Sequence, residues 1–185
     1  MKAPEMRRSA WIAAFTLVAA SLSIGVTLRG ENKMELRAPN GIALSEFKGY
    51  EKWQVVAVSR TDHGIKAILA NPTMIKAYSE GSPDGGRAFP EGSAIVKIEW
   101  NKAENAASPY PVEVPTVLKS LSFIEKDYKR FPETSGWGYA EFLYDSDTRT
   151  FTAYGSDASF GKLVCYKCHT VVGATDYIFT KYALR

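Results

Sequence analysis

The chain has 185 residues, 45% of them hydrophobic, and a formal net charge of +3. That length suits one domain behind a leader, with enough apolar side chains for a packed core. So small a charge, with no Arg-rich stripe and no interleaving of basic and aromatic residues, argues against nucleic acid as a partner.

The N-terminus carries Lys2, Arg7 and Arg8 and leads into an apolar run from Ala10 to Leu28, interrupted only by Ser, Thr and Gly. Charge returns at Arg29, Glu31 and Lys33. This is the pattern of an export signal, although no small-x-small cleavage site stands out near its end. The run is also long enough to cross a bilayer if left uncut. Residues 1–30 are therefore expected to be a signal peptide or an N-terminal membrane anchor. Residues 31–185 then form a domain outside the cytoplasm, in the periplasm.

Residues 31–49 read as a leading segment with a turn at Pro39-Asn40-Gly41. Trp53 to Arg60 is Val-rich and partly alternating, which predicts a strand. Thr61-Asp62-His63-Gly64 turns the chain, and Ile65 to Ala70 pairs back as a second strand. Asn71-Pro72 predicts a helix start, with Asn as N-cap and Pro in the first helical position. That helix should run to about Glu80, with Met74, Ile75 and Tyr78 on its apolar side. After a loop, Ser93 to Trp100 predicts a third strand with Ile95, Lys97 and Glu99 on one face. Asn101 to Pro115, with three prolines, reads as a long excursion. Thr116 to Ile124 and Trp137 to Asp145 are the fourth and fifth strands, and a short extended piece follows around Phe151. Ser156-Asp157 caps a helix, and the apolar tail Asp176 to Tyr182 folds back onto the core. The expected fold is α+β: an antiparallel five-stranded sheet with a few short helices.

Both cysteines of the chain lie in Cys165-Tyr166-Lys167-Cys168-His169, so no separate disulfide can form. Two thiols at this spacing can add to the vinyl groups of a haem, with the following histidine held under the iron. A thioredoxin-like dithiol would stand early in the chain, at the start of a helix after a first strand. A structural zinc site needs four ligands, and His63 is the one further ligand of its kind. The motif is therefore expected to hold one covalently bound haem c, with Cys165 and Cys168 as thioether donors and His169 as axial ligand. Helical electron carriers place this motif near the N-terminus and supply a second ligand downstream. Here the 16 residues after it contain neither Met nor His. Only His63, Met74 or, less suitably, Met34 could serve, an exposed turn imidazole or a core methionine being the plainer reading. A five-coordinate or water-bound iron with an open side is expected, suited to chemistry or gas binding.

Five ordered blocks carry a family resemblance: Phe89-Pro90-Glu91-Gly92-Ser93-Ala94-Ile95-Val96-Lys97, Lys126-Asp127-Tyr128-Lys129-Arg130-Phe131, Gly136-Trp137-Gly138-Tyr139-Ala140, the Cys165–His169 motif with Thr170, and Asp176-Tyr177-Ile178-Phe179-Thr180. Together, across about residues 47 to 182, they resemble the cytochrome P-460 family. The resemblance implies a homodimeric, sheet-based c-type cytochrome with His169 as proximal ligand. It also implies that Lys97 stands where hydroxylamine-oxidising members bond a lysine to a haem meso carbon. The related beta-type c′ cytochromes share the fold, lack that bond, and bind nitric oxide and carbon monoxide.

A lysine in a low-polarity pocket is pushed towards its neutral, nucleophilic form, which such a bond requires; an exposed strand lysine is the plainer reading of Lys97. Oxidising hydroxylamine also needs a proton acceptor. Active members carry a carboxylate just before the motif, where this chain has Ser159-Phe160-Gly161. The candidates are Asp157, which could equally cap the helix, Glu141 and Glu99. Two readings stand side by side. In the first, hydroxylamine is oxidised with Lys97 linked to the haem and Asp157 or Glu141 taking protons, electrons passing to a small periplasmic cytochrome. In the second, Phe89 and Phe160 crowd the open side of a gas-binding protein. An electron carrier using Met74 or His63 is a third.

Overall fold

The computed structural model describes residues 35–183. The expected leader and Met34 lie outside the described residues. Six strands, β1 (Gln54–Thr61), β2 (Gly64–Ala70), β3 (Ala94–Glu104), β4 (Glu113–Lys126), β5 (Trp137–Asp145) and β6 (Thr150–Tyr154), make one sheet. Their spatial order is their chain order, and every pair is antiparallel.

The sheet thus has one strand more than expected. The extended piece around Phe151 is β6, paired with β5 from Glu141↔Tyr154 to Asp145↔Thr150. Five residues long and without a buried run, it offers too little alternation to be read as a strand on its own. The long excursion is also corrected. β3 and β4 continue pairing out to Glu104↔Glu113, so that residues 105–112 alone make the connection. Pro115 is tolerated because β5 pairs with β4 only from Ser120 onward, leaving its outer stretch with one neighbour.

Strand alternation separates two apolar cores. Ile68 and Ala70 of β2, Ile95 of β3 and Trp137 and Tyr139 of β5 point to one face. Leu69, Val96, Leu121, Phe123, Ala140 and Phe142 point to the other. The second face is closed by the leading segment, where Phe47 stacks on Phe123 with ring centroids 4.1 Å apart. The first is closed by helix α1 (Pro72–Ser79) and by the C-terminal segment. Asn71 caps α1 as expected, its Oδ1 accepting from the Met74 N–H at 3.0 Å. The same oxygen accepts from the Ala94 N–H at 3.2 Å, tying the helix start to β3.

Where β5 begins, the chain packs too closely for a side chain at Gly138. A Cβ there would fall 2.2 Å from Cε2 of Phe131. Gly138→Ala is expected to destabilise the protein by about 1–3 kcal/mol through overpacking, measured as a lower denaturant midpoint with unchanged slope. Among the described residues no helix is long and apolar enough to cross a membrane.

Candidate functional site

The motif lies on a continuous helical segment. It begins with a π-helical turn (Gly161–Tyr166), passes through α2 (Lys167–His169) and ends in a 3-10 turn (Thr170–Thr175). Spacings of three and four residues bring Cys165, Cys168 and His169 to one side of it. The segment leans on β5 at Gly161, where a Cβ would stand 3.2 Å from the Tyr139 carbonyl oxygen. That same carbonyl accepts from Asn40 Nδ2 at 2.9 Å.

His169 is fixed at one nitrogen. Nδ1 lies 2.7 Å from the Tyr177 carbonyl oxygen. A carbonyl can only accept, so Nδ1 carries the proton and Nε2 keeps its lone pair for a metal. Burial, aided by the charge of Lys97, holds the imidazole pKa below its ordinary value against the pull of the Tyr177 carbonyl. Its sides are flanked by Tyr139 and Phe179, at 5.0 and 4.8 Å between centroids.

A cleft of about 400 Å³ opens beside these residues, lined by Lys97, Glu141, Cys165, Cys168 and His169 among apolar side chains such as Ile68, Ile95 and Ile178. Its floor is one transverse row of the sheet. Ile68 of β2 pairs with Lys97 of β3, Lys97 with Ser122 of β4, Ser122 with Glu141 of β5, and Glu141 with Tyr154 of β6. Residues in register share a face, so Lys97, Ser122 and Glu141 all rise into the cleft. Burial pushes the Cys165 thiol pKa up; the Glu141 charge adds to this and that of Lys97 opposes it. Among the described residues, the buried hydroxyls of Ser122 and Tyr139 have no hydrogen-bond partner, and both belong to the cleft wall. Ser93 Oγ is likewise unpartnered outside the cleft, but the two in the cleft wall are placed where a bound molecule could supply the partner.

The remaining candidates fall elsewhere. Asp157 is exposed, and its Oδ1 accepts from the N–H and Oγ of Ser159 at 2.8 and 2.6 Å. Those bonds, with one from Ser156, hold its pKa below the usual carboxylate value. It closes the turn before the helical segment, whose N-cap position is Phe160 with no side-chain cap bond, so the expected cap at Ser156-Asp157 is not formed, and it is not among the cleft residues. Glu99 gathers Lys119, Lys66 and Lys97 at 2.9, 3.5 and 4.0 Å. Burial works against its charge, but the bond from Lys119 and the three ammonium groups keep its pKa low. Phe89 does not meet the expectation that it crowds the open side. It is 1% exposed in the core against Tyr78 and Trp137 and does not line the cleft. Phe160 packs edge-on against Tyr154 and lines a neighbouring crevice of about 10 Å³ with Glu141, Asp157 and Cys165. Met74 is fully buried on the inner side of α1 and His63 is exposed in the β1–β2 turn, and neither lines the cleft. The sequence reading missed Ser122 and Tyr139. Counting register outward from Lys97 finds Ser122, but only once the strand pairings are known.

The sequence model of cytochrome P460 matches residues 47–180, most of the chain. The chain belongs to the cytochrome P460 family. Comparison with curated proteins returned no match. Membership makes this a haem cytochrome, and the P460 site suits such a group: two thiols on one helix side, an imidazole with Nε2 free, apolar walls and orphaned hydroxyls. A zinc alternative lacks ligands, since among the described residues no three His, Cys, Asp or Glu side chains converge on a metal site.

Proposed function

We propose that this P460-family protein is an exported, periplasmic c-type cytochrome that oxidises hydroxylamine. The observation that carries the reading is the convergence of Lys97 and Glu141 on the cleft that also holds Cys165, Cys168 and His169. Cys165 and Cys168 would hold one haem c through thioether bonds, and His169 Nε2 would be its axial ligand. Bound there, the haem supplies the electron sink for the reaction. The chain's own residues do the rest. Hydroxylamine loses three protons and three electrons on the way to nitric oxide. Glu141 accepts protons at its carboxylate, Ser122 and Tyr139 offer hydroxyls to orient the substrate, and the apolar walls exclude water. The electrons pass to an external acceptor, a small periplasmic cytochrome. Lys97 would supply the amine joined to the haem edge, the new N–C bond replacing one N–H and one ring C–H while two protons and two electrons leave to an external oxidant such as a peroxide. The protein works as a homodimer. The gas-binding alternative would need Phe89 and Phe160 at the open side of the iron; Phe89 lies in the core, and Phe160 lines the crevice next to the cleft.

The test is the absorption spectrum of the ferrous protein, read beside a denaturing mass measurement of its proteolytic peptides. A strongly red-shifted Soret band, with the Lys97 peptide still joined to the Cys165–Cys168 peptide, is the expected result. An ordinary high-spin c-type spectrum with Lys97 free would overturn the hydroxylamine reading and leave a gas-binding cytochrome.

A further inference from the structure

One ion pair in this fold is buried where a surface pair would have served stability as well. Lys126, at the end of β4, has a fully buried side chain, and its Nζ lies 2.5 Å from Asp176 Oδ2. The ammonium sits over the rings of Trp137 and Tyr128, at 4.7 and 5.1 Å from their centroids. The same Asp176 oxygen accepts from the Phe89 N–H at 2.7 Å, and Oδ1 accepts from Trp137 Nε1 at 3.3 Å. One carboxylate thus ties β4, β5 and the segment before β3 to the C-terminal tail.

Buried pairs of this kind add little net stability, because taking both charges out of water offsets their attraction. They do fix geometry, and the geometry here is unusual. Asp176 and Tyr177 both have left-handed backbones, with φ of 50° and 65°. Asp tolerates that region; a Tyr does so only where its surroundings impose it. The Tyr177 hydroxyl is held from the far side by Ser135 Oγ at 3.0 Å. Between these two anchors the Tyr177 carbonyl is turned towards His169 Nδ1.

We infer that Asp176, locked by Lys126, is a positioning residue for His169: it holds the left-handed reversal that aims the Tyr177 carbonyl at the imidazole and so fixes which ring nitrogen is free. This rests on the reading of His169 as axial ligand. The carbonyl that accepts from Nδ1 raises the donor strength of Nε2 and sets the ring's orientation. Without the carboxylate tether the reversal relaxes, and the imidazole loses its acceptor.

The experiment follows the iron–imidazole stretching band in the resonance Raman spectrum of the ferrous protein, with the haem reduction potential measured alongside. Asp176→Ala should lower the band frequency and raise the potential. Lys126→Met/Asp176→Ala, which removes the stranded ammonium together with its partner, should fold and show the same shifts. A parent-like band in the double variant, with haem still attached, would overturn the inference. Should the parent protein carry no haem on Cys165 and Cys168, the axial-ligand reading fails by itself. The positioning is then read from the ¹⁵N shifts of His169, protonated at Nδ1 in the parent and mixed between tautomers in the double variant. A parent-like tautomer there would equally overturn it.

Discussion

Glu141→Gln is expected to slow hydroxylamine oxidation by about 10²–10⁴-fold, the usual contribution of a positioned proton acceptor. The substitution keeps the size and hydrogen-bonding reach of the side chain and removes only its basicity. The ferrous spectrum should therefore stay as it is, and the loss should appear in the turnover rate measured with an artificial electron acceptor. Asp157→Asn is the matched control. Asp157 is committed to the Ser159 N–H and hydroxyl and lies outside the cleft, so that variant should turn over at the parent rate. Equal losses in the two variants, or none in Glu141→Gln, would move the proton acceptor away from the β5 carboxylate.

Lys97→Ala should have the other large effect. The red-shifted Soret band should give way to that of an ordinary high-spin c-type cytochrome, and proteolysis should release a haem peptide lacking the β3 segment. Hydroxylamine oxidation should be lost while nitric oxide still binds. Lys97→Arg should not rescue the band, because a guanidinium stays protonated across the working pH range and offers no nucleophilic lone pair. Side-chain exposure of 36% leaves the lysine room to reach the cleft, and its nearest anion, Glu99, is 4.0 Å away. A parent spectrum in the Lys97→Arg variant would mean that charge at this place is what matters, not a covalent bond.

Much of the fold was legible because its signals are local. Asn71-Pro72 announces the start of α1, and the alternation of Ile95, Lys97 and Glu99 sorts β3 into its two faces before any partner strand is known. The Cys-x-x-Cys-His spacing points to haem, and its place late in the chain and the lack of further ligands weigh against a dithiol or zinc. What stayed hidden depends on pairing. β6 is too short to be seen without β5 beside it, and the prolines between Asn101 and Pro115 conceal that β3 and β4 keep pairing. The site shows the same division. Lys97 and Glu141 are 44 positions apart, and only their shared register with Ser122 makes them neighbours. Phe89 reads equally well as pocket wall or core; the Tyr78 and Trp137 rings decide for core.

The meander order of the sheet has a consequence for how the chain matures. Every strand pairs with the one made just before it, so loop closures are short and each hairpin can form as soon as its second strand is available. Residues 54–154 therefore assemble without waiting for the end of the chain. The Cys165–His169 segment follows the last strand in the chain, so the meander order lets the sheet form before it docks. Haem attachment at Cys165 and Cys168, as proposed, would then come before the Lys126–Asp176 pair closes the tail.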